Sequence, residues 1–165
     1  MIREEYRSLY EVLESETEVL STKGVVVTGQ PGIGSYECWC YSQVMLIPIP
    51  YLGKSTFLIY LLLYRLEQKL PTAVQLNNIY YAIFDEQGAT FRSTKADDSR
   101  LGECWALTDS NEFVTQPCIA FMRNAPFIVQ TTSPRPERWT KWVKQHDATW
   151  IIMDLPSVPE MAAVL

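Results

Sequence analysis

Residues 24–34 read GVVVTGQPGIG, and residues 53–64 read GKSTFLIYLLLY. Between Gly34 and Lys54 stands a run of 19 residues, Ser35 to Gly53. With that run removed, Gly29-Gln30-Pro31-Gly32-Ile33-Gly34 joins Lys54-Ser55 and spells G-x-x-x-x-G-K-S. A Val-rich strand before the pattern and an apolar helix behind it are the context in which it cradles phosphate. Backbone N–H groups of such a loop wrap a β-phosphate, and the N-terminus of the next helix adds its dipole. Gly29 opens the loop, Gly32 and Gly34 let the backbone approach closely, and Gly53 now precedes the lysine. Lys54 pairs with the β- and γ-phosphates, Ser55 offers its hydroxyl to Mg²⁺, and Thr56 follows in the same turn. The cofactors expected are ATP or GTP with Mg²⁺.

The remaining patterns fit an α/β protein. Ile2, Tyr6, Leu9, Leu13 and Leu20 recur at an approximate helical spacing and predict an N-terminal helix over 2–19. That gives an N-terminal helical segment, 1–22, ahead of a core, 23–165, which carries the 35–53 insertion in its phosphate loop. Val25 to Val27 is a short continuous apolar strand, as in a parallel sheet covered on both faces. Ser55 to Leu70 is a helix apolar nearly all round, and its half from Phe57 to Leu66 reads as buried. Pro71 stops it. Ala73–Leu76 and Ile79–Phe84 read as strands, with Ala89–Arg92 returning after the turn Asp85-Glu86-Gln87-Gly88. Ser93 to Gly102 reads as a loop. Cys104–Leu107, Phe127–Gln130 and Thr149–Met153 complete the strands. Pro136–Lys144 and Val158–Leu165 read as helices. The alternation predicts a mainly parallel sheet with helices on both faces.

Composition narrows the classes. With 47% apolar and 20% charged residues in 165, the chain suits one globular domain. A net charge of −5 gives no global basic footprint for nucleic acid. Glu4, Glu5, Glu11, Glu14, Glu16 and Glu18 form a solvated helix face. The stretch from Val44 to Tyr64 is apolar, but Pro48, Pro50, Gly53 and Lys54 argue against a membrane span. Cys38, Cys40, Cys104 and Cys118 match no zinc spacing and read as free thiols. His146 is the one histidine, which argues against a His-based metal site. The N-terminus lacks an apolar signal core, so a cytoplasmic or nuclear location is expected.

A carboxylate at the end of a neighbouring strand should hold the Mg²⁺ water. Two candidates compete. Ala82-Ile83-Phe84-Asp85-Glu86 ends an apolar run with an acid pair, but Gln87-Gly88 turns it into a hairpin. Trp105-Ala106-Leu107-Thr108-Asp109 has the plain strand-then-Asp form. Gln130-Thr131-Thr132-Ser133 ends the next strand, where polar side chains sense the γ-phosphate or cap the strand. Arg123, Arg135 and Arg138 read as surface cations. Trp139 and Trp142 read as core or partner-face aromatics.

At GVVVTGQPGIG plus KSTFLIYLLLYRLEQKLPTAVQL, IFDEQGATF, CWALTDSN, FIVQTTSPRPERWTKWVKQ and ATWIIMDLPSVPEM, the chain resembles fungal P-loop NTPases of the STAND/AAA-like type, often found in Crinkler-like effector proteins. The resemblance implies nucleoside triphosphate binding and Mg²⁺-dependent hydrolysis as a conformational switch. It implies Asp109 as the catalytic, Mg²⁺-linked acid and the strand end Thr131 to Ser133 as the sensor, with Thr132 and Ser133 in that role. Ser133-Pro134 stands where STAND proteins often carry an arginine. The family's chains look longer, so this one reads as truncated where a C-terminal lid would begin. The family pattern has no room for Ser35 to Gly53. Its ends can be encoded with GT and AG boundaries, and Leu46 to Leu52 is compatible with a pyrimidine-rich tract. The run therefore reads as a retained intron, with a real loop insertion as the alternative. As written, the site is expected to be impaired, and an inactive or interaction-only protein is the competing reading.

Overall fold

The computed structural model describes residues 4–19, 22–29, 53–133, 135 and 139–153. Gly32, Gly34, residues 35–52 of the insertion, Cys38, Cys40, Arg138 and the helix expected at 158–165 lie outside the described residues. In chain order the elements are α1 (Glu4–Val19), β1 (Gly24–Gly29), α2 (Lys54–Glu67), β2 (Thr72–Gln75), β3 (Tyr80–Asp85), β4 (Gly88–Ser93), a 3₁₀ turn (Ser99–Glu103), β5 (Trp105–Asp109), α3 (Ile119–Asn124), β6 (Phe127–Thr132), α4 (Thr140–His146) and β7 (Thr149–Met153).

The seven strands form one mixed sheet in the order β4-β3-β2-β5-β6-β1-β7. The pairs β2–β5, β5–β6, β6–β1 and β1–β7 are parallel, whereas β3 and β4 are antiparallel to their neighbours. The expectation that the four apolar runs share one mainly parallel sheet holds. β1 and β6 are buried at every position, as strands covered on both faces must be.

Helices cover both faces. On one, α1 and α2 pack over Val25, Val27, Phe127, Val129 and Leu107. Tyr6, Leu9, Tyr10 and Leu13 of α1 are all buried there, at i, i+3, i+4, i+7 spacing. α1 thus belongs to the same core as the sheet. On the other face, Phe121 of α3, Trp142 of α4 and Leu101 of the 3₁₀ turn pack over Val26, Ala73, Ala106 and Ile128. Cys104 and Cys118 are free and buried in this second layer, and burial pushes the Cys104 thiol up to about 11. Trp142 presses so close to β1 that a Cβ on Gly24 would lie 2.6 Å from the Ile128 carbonyl oxygen and 2.8 Å from the indole ring.

The structure corrects several sequence expectations. α2 is not buried all round: Ile59 and Leu63, one turn apart, are 58% and 61% exposed. Period-3.6 reasoning could not find this, because apolar residues occupy every face of the helix. α2 ends at Glu67 rather than Leu70. Lys69 takes a left-handed φ of 57°, and the N–H groups of Lys69 and Leu70 donate to the carbonyls of Leu66 and Arg65. This is a Schellman closure with lysine where glycine is usual. The polar stretch after β4 contains the 3₁₀ turn, held by Asp98 accepting from the Arg100 N–H. α3 was not expected, being one six-residue turn-and-a-half between prolines. α4 spans Thr140–His146, and the expected start over 136–138 lies outside the described residues. Among the described residues no helix is long and apolar enough to cross a membrane.

Candidate functional site

The parallel strands bring their C-terminal ends to one edge. Register places Thr28 beside Thr132, and Thr131 beside Asp109. Lys54, the first residue of α2, begins its helix at this edge. Ser55 Oγ donates to Asp109 Oδ2 at 2.7 Å, and Thr131 Oγ1 donates to Asp109 Oδ1 at 2.7 Å. Three elements thus converge on one carboxylate: the start of α2, the end of β5 and the end of β6. Burial lowers the Lys54 ammonium from its ordinary value, and the nearby Asp109 opposes that shift. A lysine placed this way gains from a neighbouring anion, which offsets the cost of burying the ammonium.

Asp85 lies elsewhere. β3 runs antiparallel to β2, so Phe84 pairs with Thr72, the first residue of β2, and Asp85 sits at the opposite edge of the sheet from Asp109. There it accepts from Arg100 Nη1 at 3.0 Å. Asp98 accepts from the same guanidinium at 2.9 Å and from Arg92 at 3.1 Å, and these bonds, Arg100's foremost, hold its carboxyl far below the usual carboxylate range. Asp85 ties the β3–β4 hairpin to the 3₁₀ turn, and Glu86 is an exposed turn residue.

The β6 end divides by face. Strand alternation turns Thr131 toward α2 and Thr132 toward the α3–α4 layer. Thr132 Oγ1 is buried with no hydrogen-bond partner among the described residues, and the same is true of Ser133 Oγ. Of the strand-end hydroxyls, Thr131 is the one that reaches Asp109. The residue after the acid is Ser110, whose hydroxyl donates to the carbonyls of Val114 and Thr115. The segment after β5 is further clamped by Gln130 Nε2 donating to the Thr115 carbonyl and by Gln75 Oε1 accepting from the Cys118 N–H.

Gly29 ends β1 at this edge, and buried Gly53 supplies the first acceptor of α2, its carbonyl taking the Phe57 N–H at 3.1 Å. Thr56 is half-buried one residue beyond Ser55. Arg123 is exposed, 3.8 Å from Asp97, and Arg135 is exposed. Trp142 is buried, and Trp139 is half-buried and stacks on Trp150 with ring centroids 5.8 Å apart. Among the described residues no group of three or more His, Cys, Asp or Glu side chains is placed to hold a metal. Sequence reading passed over Tyr6, whose hydroxyl donates to the Gly53 carbonyl at 3.1 Å. No local pattern signals a contact across so long a separation. The sequence matches no protein-family model, no curated protein and no solved structure.

Proposed function

We propose that this chain is built to bind a nucleoside triphosphate with Mg²⁺ at the C-terminal edge of β1, β6 and β5, as a conformational switch of the P-loop NTPase kind. The observation that carries the reading is the convergence of Ser55 and Thr131 on Asp109, beside a lysine whose charge burial disfavours. The pattern split between Gly29–Gly34 and Lys54-Ser55 supplies the phosphate chemistry. The resemblance to fungal STAND/AAA-like, Crinkler-associated NTPases supports the same reading.

The donor set fits Mg²⁺, since a serine hydroxyl and a carboxylate are the hard oxygen donors this cation takes. Ser55 and Asp109 would hold it, Asp109 by way of water, and the bound ion would offset charge on the β- and γ-phosphates. Lys54 would offset phosphate charge directly. Thr131 holds the Asp109 carboxylate in place. The hydroxyl of Ser110, next to Asp109, is committed to the carbonyls of Val114 and Thr115. The reading is therefore of Mg²⁺-dependent nucleotide binding and hydrolysis as a conformational switch, impaired in the chain as written by the interrupted loop.

The interruption between Gly34 and Lys54 favours a second reading, an interaction-only protein. Separating the loop from its lysine removes the preorganisation that such sites depend on. Calorimetry with Mg·ATP and Mg·GTP decides between them on three proteins: the chain as written, the chain lacking residues 35–53, and that shortened chain with Lys54→Ala. Weak binding by the first, tight Mg²⁺-dependent binding by the second and loss in the third support the nucleotide reading. Equal tight binding by the first two makes the insertion a tolerated loop. No binding by either leaves the interaction-only reading.

A further inference from the structure

Tyr6 lies on α1, away from every segment of the phosphate pattern, yet it reaches the residue on which α2 begins. Tyr6 is 3% exposed, and its ring centroid lies 5.5 Å from that of Phe57 and 5.6 Å from that of Tyr60. Its hydroxyl donates to the Gly53 carbonyl at 3.1 Å, a buried bond. The same carbonyl accepts the Phe57 N–H at 3.1 Å. Gly53 is the N-cap of α2, and no side chain of its own caps the helix. The carbonyl is thus held both by the helix that follows and by a separate helix.

We propose that Tyr6 is a positioning residue for the phosphate site. The peptide joining Gly53 to Lys54 is planar and trans, so its C=O and N–H point in opposite directions. Holding the carbonyl toward α1 turns the Lys54 N–H the other way, away from α1. It also fixes the rotation of the first turn of α2, and with it the directions in which Lys54 and Ser55 leave the backbone. An N-terminal turn has fewer internal hydrogen bonds than the helix body and is the part of α2 that most needs an outside tether. α1 thereby becomes a lever: displacing it releases the turn that carries the lysine. This inference rests on the nucleotide reading for its consequence, but not for its mechanics.

Tyr6→Phe keeps the ring and removes the donor. Tyr10→Phe is the control, because Tyr10 belongs to the same core cluster but its hydroxyl donates to Glu14 rather than to the site. In the full ligand-free chain, hydrogen exchange at Phe57 and Leu58, the first amides of α2 with helical acceptors, is expected to quicken about threefold to tenfold in Tyr6→Phe, the range of one net hydrogen bond. Tyr10→Phe is expected to leave those amides unchanged. Unchanged exchange in Tyr6→Phe, or equal acceleration in both variants, overturns the proposal. Mg·ATP titration of the chain lacking residues 35–53 reads the consequence; Gly34 then stands directly before Lys54 and presents the glycine carbonyl that Gly53 presents to Tyr6 in the full chain. Tyr6→Phe should weaken binding by a similar factor, whereas Tyr10→Phe, which also loses one hydroxyl hydrogen bond, should leave binding unchanged. Equal affinity with Tyr at position 6 or Phe overturns the positioning role. Absence of nucleotide binding with Tyr6 intact defeats the nucleotide reading instead, and the ligand-free exchange still decides whether Tyr6 sets the turn.

Discussion

Ser55 and Asp109 are 54 residues apart in sequence, and their side chains meet at 2.7 Å. The contact joins the first turn of α2 to the end of β5 across the intervening end of β6, and Thr131 closes the other carboxylate oxygen. Ser55, Thr131 and Asp109, the groups of the proposed Mg²⁺ site, therefore sit on one edge, on elements fixed by the buried sheet. Ser55→Ala removes one oxygen donor and leaves Asp109 held by Thr131. In the chain lacking residues 35–53, it should reduce nucleotide affinity with Mg²⁺ present and change it little with EDTA. Parallel titrations in the two buffers read the difference. Equal losses in both would show that Ser55 acts on phosphate rather than through the metal.

Lys54 gives a prediction with a pH sign. Burial lowers its ammonium from the ordinary lysine value. A base whose folded-state value is depressed makes folding less favourable wherever it must stay charged. The cost is present at neutral pH and fades as pH rises through the lowered folded value toward the ordinary lysine range near 10.4. Lys54→Met should therefore raise the thermal midpoint of the ligand-free chain at pH 7. The gain should shrink as pH approaches about 10.4. A midpoint lowered by the substitution at pH 7 would contradict this account of the site.

Much of the fold is legible in the sequence, and the reasons are local. Val25 to Val27 is too short and too apolar to be anything but a strand covered on both faces, and Gly29 to Gly34 with Lys54-Ser55 dictates where the next helix starts. Asp109 stood out as an acid ending a plain apolar strand. What stayed hidden depends on pairing over long separations. The antiparallel direction of β3 decides that Asp85 faces away from the site, and no residue in 79–85 encodes it. The face on which Thr131 falls depends on the phase of β6, which a polar run of Gln130 to Ser133 does not reveal. Tyr6 looked like one more apolar-stripe residue, and its hydroxyl has meaning only once α1 lies against Gly53.

Gly24 tests the packing behind the site. A Cβ there would meet the Ile128 carbonyl oxygen at 2.6 Å, and backbone cannot swing aside as a side-chain tip can. Gly24→Ala should cost about 1–3 kcal/mol, the range of overpacked cores, measured by urea denaturation. Trp142 would have to move too, since its ring lies 2.8 Å from the same point. Near-UV circular dichroism should register that shift even where the chain stays folded.

Lys69 is the reverse case. It holds a left-handed φ of 57° at the closure of α2, where a side chain carries a steric penalty and glycine does not. Lys69→Gly should stabilise the ligand-free chain by about 1 kcal/mol, the left-handed penalty of an L-residue, or slightly less because glycine also gains freedom when unfolded. A clear loss in the urea midpoint would mean that the lysine side chain contributes more than its backbone strain removes.

Asp85 and Asp109 give the sharpest contrast, because both end apolar runs and only direction of the strand separates them. Asp85 accepts from Arg100 at the far edge of the sheet, in a network shared with Asp98 and Thr90. Asp85→Asn keeps the shape and removes the charge, so Arg100 loses part of its compensation and the β3–β4 hairpin loosens from the 3₁₀ turn. The expected result is a lower thermal midpoint with nucleotide affinity unchanged in the chain lacking residues 35–53. Asp109→Asn keeps acceptors for Ser55 and Thr131 on one oxygen only, and takes away the anion that balances Lys54 and would attract Mg²⁺. Its expected result is loss of Mg²⁺-dependent affinity by tenfold or more, as about 1.4 kcal/mol of lost charge stabilisation gives, alongside a lower midpoint because Lys54 loses its counter-charge. Affinity measured on the same two variants separates the roles. Loss of affinity in Asp85→Asn, with Asp109→Asn binding normally, would move the metal-linked acid to the opposite edge and overturn the site assigned above.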